Sequence, residues 1–457
     1  MNYSRRQALL TTLFGAGWVG LRAVATGLPV SFLLNPRQAL ANTVCADAGM
    51  PMPSSAQYVV FNTSGAGDPI NTNCPGSYVP GTSHPDYPGF AMTGANAAPQ
   101  VALGAGGQTY QAASPWAALL SNSAIADRTV FFHMATNSLI HSLEGKVLQL
   151  NGAAANEMFP SLIAKGTQPI LNTIQTQPVS VGASPSEAIS FDGAPQPNIP
   201  PSALQDTLLN PMVKGSPSPL SNLQGIRDHT MSKVYDIYKN VATPQQQQYM
   251  DQLITSQQQV RKLNQCILSQ LATLPTDPVA AQMVAAVTLI QLNVAPVITV
   301  HIPFGGDNHG DPNFTNEWQQ TLTGVGAGGA DGGPGGTPTT GIAFLLNLLQ
   351  SAGLQDQVTF TNLNVFGRTL AQYLDGRNHN PNHHVSVCIG KPFQGGVVGG
   401  AQANGSAQFA ATPIGSVAYT DTMFAYAMTV LQGVGAPSSI VQSVQSTTGQ
   451  VISAALA

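Results

Sequence analysis

The sequence predicts an α/β protein with a largely parallel central sheet and helices on both faces. Short apolar runs rich in β-branched residues alternate with helical periodicity along most of the chain, the pattern of parallel strands joined by helical crossovers. The clearest strand carries Val297, Ile298, Thr299, Val300 and Ile302 between Pro296 and Pro303, a run suited to burial on both faces. The helix ahead of it, Val279 to Leu292, is apolar nearly all round behind an Asp277 cap. It is expected to lie buried against the sheet.

The chain has 457 residues, enough for one large domain or two ordinary ones. Its N-terminus stands apart. Arg5-Arg6 precedes an apolar run, and Ala39-Leu40-Ala41 forms a small-residue cleavage site. Residues 1–41 therefore read as a twin-arginine export signal, and 42–457 as a single α/β domain with a helical insertion near 222–292. Arg22 interrupts the apolar run, which argues against a stable membrane span. Val44 precedes Cys45 where a lipoprotein signal needs a small residue, so no lipid anchor is expected. The expected location is periplasmic or secreted.

Losing that signal removes four of the 16 basic residues and none of the 20 acidic ones. The rest is sparsely charged and mildly acidic, with no basic run and no basic–aromatic interleaving, which excludes a nucleic-acid partner. The cysteines are Cys45, Cys74, Cys266 and Cys388. An oxidising compartment permits two disulfides among them, with Cys45–Cys74 the local pairing and Cys266 and Cys388 read as buried thiols. No CxxC spacing exists, which argues against a thiolate zinc site.

Taken in order, Gln57 to Asn62 is the first core strand, and a loop rich in Gly, Pro, Ser and Asn follows. That loop opens with Thr63-Ser64-Gly65-Ala66-Gly67-Asp68, a turn that offers backbone N–H groups and one carboxylate. Pro115 to Leu120 reads as a short helix with Trp116 inward, Arg128 to Ala135 as a strand, Pro160 to Lys165 as a short helix, and Pro178 to Val181 as a weak strand. Residues 183–220 read as a surface excursion or lid. Helical periodicity spans 222–274. Gly324 to Gly336 lacks a following GK[ST] and reads as a linker. Gly341 to Ala352 is a helix, Val358 to Val365 and Val385 to Ile389 are strands, and Asp421 to Leu431 is a late helix.

Chemistry in an α/β sheet gathers just past the carboxyl ends of strands. Asp307 and His309 follow the glycine break after the 297–302 strand. Arg368 follows the 358–365 strand, and its planar fork suits a phosphate or sulfate anion. A structural tie to Asp356 or Asp375 is the alternative. His141 and Ser138 follow the second strand, and Ser64 the first; either serine could be an activated hydroxyl nucleophile. His133 reads as a core histidine. His383 and His384 read as a solvated loop, with at most one facing the site.

Four pieces stand in order: Gly305-Gly306-Asp307-Asn308-His309, Phe366-Gly367-Arg368-Thr369, Gly376-Arg377-Asn378-His379-Asn380-Pro381, and the glycine-rich stretch from Gly395 to Gly399. In this order they resemble domain-of-unknown-function family 1501, exported bacterial proteins similar to the alkaline phosphatase/sulfatase superfamily. The resemblance is clearest over 296–400. It implies an alkaline-phosphatase/sulfatase-like fold and a metal-dependent hydrolase of phosphate or sulfate esters, with a small molecule or a surface polymer as substrate. The implied ligands are Asp307, His309 and His379, with Asp68, and with Asn378 offering a neutral oxygen. Arg368 would hold the anion.

Two acids of the family pattern are missing. Val365 stands at a glutamate position and Asn378 at an aspartate position. Paired divalent ions need several anionic oxygens, so one ion (zinc, manganese or calcium) is expected rather than two. The alternative is a catalytically degenerate binding or assembly protein on the same fold.

Overall fold

The computed structural model describes residues 54–67, 74–77, 99–104, 106–112, 114–154, 157–182, 187–204, 274–302, 341–369, 378–403 and 409–457, with isolated positions at 233, 236, 237, 243 and 247. The expected export signal, Cys45, Cys266, nearly all of the 222–273 insertion, the 324–336 linker and the ligand candidates Asp68, Asp307 and His309 lie outside them. Among the described residues there is no disulfide, and no helix is long and apolar enough to cross a membrane.

Seven strands make the central sheet: β1 (Tyr58–Thr63), β2 (Thr129–Met134), β3 (Val179–Ser180), β4 (Val297–His301), β5 (Val358–Asn362), β6 (His384–Ile389) and β7 (Gly396–Val398). Their spatial order is β7-β2-β6-β5-β1-β4-β3. Every neighbouring pair is parallel except those of β6, which runs antiparallel to both β2 and β5. The reversal matters for the site. His384 at the start of β6 sits opposite Met134 at the end of β2, so β6 begins at the edge where the parallel strands finish.

Alternation along β1 shows the two covered faces directly. Tyr58 and Val60 point into one apolar cluster with residues of α1 (Ser114–Leu120), α3 (Pro278–Gln291) and α4 (Ile342–Ser351). Val59 and Phe61 point into the other, with residues of α2 (Phe159–Leu171) and α5 (Thr422–Gly433). Trp116 packs edge-on to Phe131 in the first cluster, ring centroids 4.9 Å apart, and Phe61 packs edge-on to Phe159 in the second at 5.6 Å. Helix α3 is buried along nearly its whole length, as its all-round apolarity requires. Its start is fixed by Asp277, whose carboxylate accepts from the amides of Val279 and Ala280.

Three expectations change. Helix α2 runs past Lys165 to Leu171 and ends where Asn172 turns left-handed at φ 51°. Strand β5 stops at Asn362, because the chain then leaves the sheet and Gly367–Arg368 pairs antiparallel with His379–Asn380. The stretch expected to be a surface excursion is in its described part packed: Glu187, Ile189, Ile199 and Leu204 are buried. A hairpin, Ser190–Phe191 with Ala194–Pro195, carries it back towards the sheet edge, where Ile199 donates its amide to the Ser180 carbonyl.

Candidate functional site

The turn after β1 is the hub of the strand-end face. Gly65 donates its amide to Glu187 Oε1 at 2.9 Å, and Ala66 donates its amide to Ser64 Oγ at 3.2 Å. Both N–H groups are therefore committed inside the protein, and these two offer no open anion cradle. The carbonyls are held as well. Gly65 O accepts from His141 Nδ1, and Ala66 O accepts from Arg368 Nη2 at 2.7 Å. Three side chains from three separate segments thus grip one turn. Gly67 completes it at φ +103°, where an added Cβ would meet Phe366 Cε2 at 2.7 Å.

His141 and His379 stand side by side on this face. Their rings meet edge to face with centroids 4.6 Å apart, and His379 stacks on Phe366 at 4.0 Å. His379 Nδ1 lies 2.6 Å from the Leu139 carbonyl, just as His141 Nδ1 faces that of Gly65. A carbonyl can only accept, so both rings carry their proton on Nδ1. In the neutral form each then keeps its lone pair on Nε2. A backbone carbonyl on one ring nitrogen is the usual orienting contact of an imidazole that ligates a metal through the other.

A second group lies beneath the turn. Glu187, 2% exposed, places Oε2 2.7 Å from His301 Nδ1. The contact is angled away from a straight N–H···O line. His301 closes β4, paired in register with Thr63, and its amide donates to Gln282 Oε1 at 2.7 Å. Glu144 is wholly buried with both carboxyl oxygens unpartnered among the described residues. Burial first, and the Glu187 charge second, push its carboxyl well above the usual range, which favours the protonated form. Sequence reading passed over Glu144, Glu187 and His301. A usable signal existed for Glu144: an acid among Leu143, Val147 and Leu148 in a chain with only 20 acids.

The other described histidines, His133, His383 and His384, are buried. His383 and His384 are both fully buried, because β6 is an inner strand of the sheet. His384 Nε2 accepts from the Asn364 amide at 3.1 Å. His133 is the expected core histidine, its Nε2 2.8 Å from the Pro75 carbonyl.

The other candidates divide. Arg368 is 2% exposed, lies over the Phe366 ring and braces the β1 turn. Of its two alternative partners, Asp356 instead binds Arg128 at 2.8 Å, and Asp375 lies outside the described residues. Ser64 is buried and its Oγ closes a local turn onto Ala66. Ser138 is 3% exposed, with Oγ unpartnered among the described residues. The Asn378 side chain is exposed, and its backbone pairs with Thr369 in both directions. Val365 is buried among apolar residues. Among the described residues no three His, Cys, Asp or Glu side chains are grouped to hold a metal ion. His141 and His379 therefore supply two oriented imidazoles and need further ligands to complete a site. No protein-family model, no curated protein and no solved structure matches this chain.

Proposed function

We propose that the protein is an exported, metal-dependent hydrolase of phosphate or sulfate esters, built on an alkaline-phosphatase/sulfatase-like sheet and working in the periplasm or outside the cell. The observation that carries this reading is the pair His141 and His379, adjacent at a strand-end face with each Nδ1 turned onto a backbone carbonyl. Two imidazoles so oriented present Nε2 as ligand atoms. Asp307 and His309, a few residues beyond His301 in sequence, with Asp68, three beyond Gly65, are the expected further ligands. Val365 and Asn378 leave too few anionic oxygens for a pair of ions, so one divalent ion is the expected complement. A bound ion would supply Lewis acidity towards the ester oxygen and a more acidic bound water.

The chain's own residues do the positioning. Arg368 holds the Ala66 carbonyl and Glu187 holds the Gly65 amide, so the β1 turn keeps one shape. The Phe366 ring against His379 fixes that imidazole and keeps water from one side of it. Ser138, buried with its hydroxyl unpartnered among the described residues, is the better nucleophile candidate of the two serines.

Elemental analysis of protein purified without chelator tests the reading, together with turnover of nitrophenyl phosphate and nitrophenyl sulfate. About one divalent ion per chain is expected, lost with turnover in His379→Ala and in Asp307→Ala. No bound metal, and no rise in melting temperature on adding zinc, manganese or calcium, would overturn it.

A second reading has its own support: a non-hydrolytic binding or assembly protein. Leu139 and Ile140 are 52% and 57% exposed directly beside His141, and the two acids of the family pattern are absent. Metal-free protein that is fully stable would favour this reading.

A further inference from the structure

We propose that His301, oriented by Glu187, is a general base and acid of this site, a proton-transfer dyad distinct from the His141–His379 pair. The inference rests on the hydrolase reading for its reaction, but its geometry stands alone. Glu187 is buried behind the ring with one oxygen on the Gly65 amide and the other 2.7 Å from His301 Nδ1. The His301 side chain is 24% exposed while that of Glu187 is 2% exposed. The imidazole thus reaches from a buried carboxylate towards the strand-end face. Its backbone is fixed twice, by the register of β4 on β1 and by the Gln282 side chain. A buried carboxylate 2.7 Å from Nδ1 favours the proton on that nitrogen once the ring turns its N–H onto the oxygen, which leaves Nε2 as the base.

Glu144, Glu187 and His301 are not grouped to hold a metal ion among the described residues. Burial and the Glu187 charge push the wholly buried Glu144 carboxyl well above the usual range. Glu187 is the carboxylate that contacts the ring among the described residues. In the proposed step, Nε2 removes the proton of an attacking water or hydroxyl as the new bond to phosphorus or sulfur forms. The same proton then goes to the leaving ester oxygen as its bond breaks. Charge and protons balance, and Glu144 and Glu187 keep their protonation states throughout.

The test is nitrogen-15 NMR of histidine-labelled full-length protein, with His301 assigned by His301→Asn, read beside ester turnover. Wild type is expected to show His301 as the Nδ1–H tautomer. Glu187→Gln is expected to shift it towards Nε2–H and to lower kcat at least tenfold with KM little changed. A structural role alone would not move the tautomer. Either Nε2–H in wild type, or a tautomer indifferent to Glu187→Gln, overturns the dyad. Full turnover in His301→Asn overturns its catalytic role while the hydrolase reading survives. If wild type turns over no ester, the hydrolase reading and the role proposed for His301 fall together, and the NMR result decides the dyad by itself.

Discussion

His133 Nδ1 lies 2.8 Å from His383 Nε2, with the two rings stacked at 5.1 Å. The Pro75 carbonyl accepts from His133 Nε2, so His133 Nδ1 carries the lone pair and His383 must donate to it. His133 cannot take up a proton without breaking this order, because both of its ring nitrogens are committed. Burial pushes His133 down to about 4, and burial with the His133 charge pushes His384 down to about 3. Burial, then the His133 and His384 charges, hold His383 well below its ordinary value. Between pH 6.5 and 4 the unfolded chain therefore binds more protons than the folded one. The associated stability is fully present above pH 6.5 and is lost as pH falls. Each imidazole contributes a slope of about 1.4 kcal/mol per pH unit in that window. Glu144 opposes it from pH 4.5 upward as one group against three. Chemical denaturation at pH 7 and pH 5 should show a loss of several kcal/mol; equal stability at both would show that the three rings titrate normally.

Glu144 predicts the reverse trend. Its folded carboxyl is held well above the ordinary value by burial and by Glu187. Its contribution is thus present below about pH 4.5, where the unfolded group is also protonated, and declines as pH rises. Glu144→Gln removes a group that costs stability when its unfolded form is ionised. The variant should raise the melting temperature at pH 8 by a few degrees and change it little at pH 4.5. A drop at pH 8 would mean that Glu144 is ionised and paired in the native protein.

Local pattern explains what could be read ahead of the structure. Val297 to Val300 announce a buried strand, Asp277 announces the start of α3, and Trp116 announces an inward helix face, because each signal is carried by adjacent residues. Strand direction is not local, so nothing in His384 to Ile389 told that β6 runs against its neighbours. That reversal buries His383 and His384, which polarity alone had placed in solvent. Glu187 sits in a Pro- and Ser-rich stretch, and only its tertiary contacts with Gly65 and His301 make it notable.

Gly67 tests how tightly the β1 turn must close. At φ +103° an alanine is strained, and its Cβ would lie 2.7 Å from Phe366 Cε2 and 3.2 Å from Arg368 Nε. Gly67→Ala should cost about 2 kcal/mol or more. It should also displace Phe366 from His379, visible as a change in ring-current shifts of the His379 protons. An unchanged melting temperature would mean that the turn has room the close packing denies.

Arg368 separates an anion-binding role from a bracing one. The sequence left Arg368 open between anion ligand and structural tie, and only as an anion ligand would Arg368→Lys weaken phosphate or sulfate binding and spare the melting temperature. The guanidinium is instead 2% exposed and donates to the Ala66 carbonyl at 2.7 Å, over the face of Phe366. Lysine keeps the charge but loses the planar fork and the stacking geometry. The same substitution should therefore lower stability by about 1–3 kcal/mol, since a buried carbonyl loses its charged donor. Phosphate binding, followed by calorimetry, should fall only as far as the turn loosens. If binding collapses while the melting temperature holds, Arg368 contacts the anion itself, and the Ala66 contact is incidental to its role.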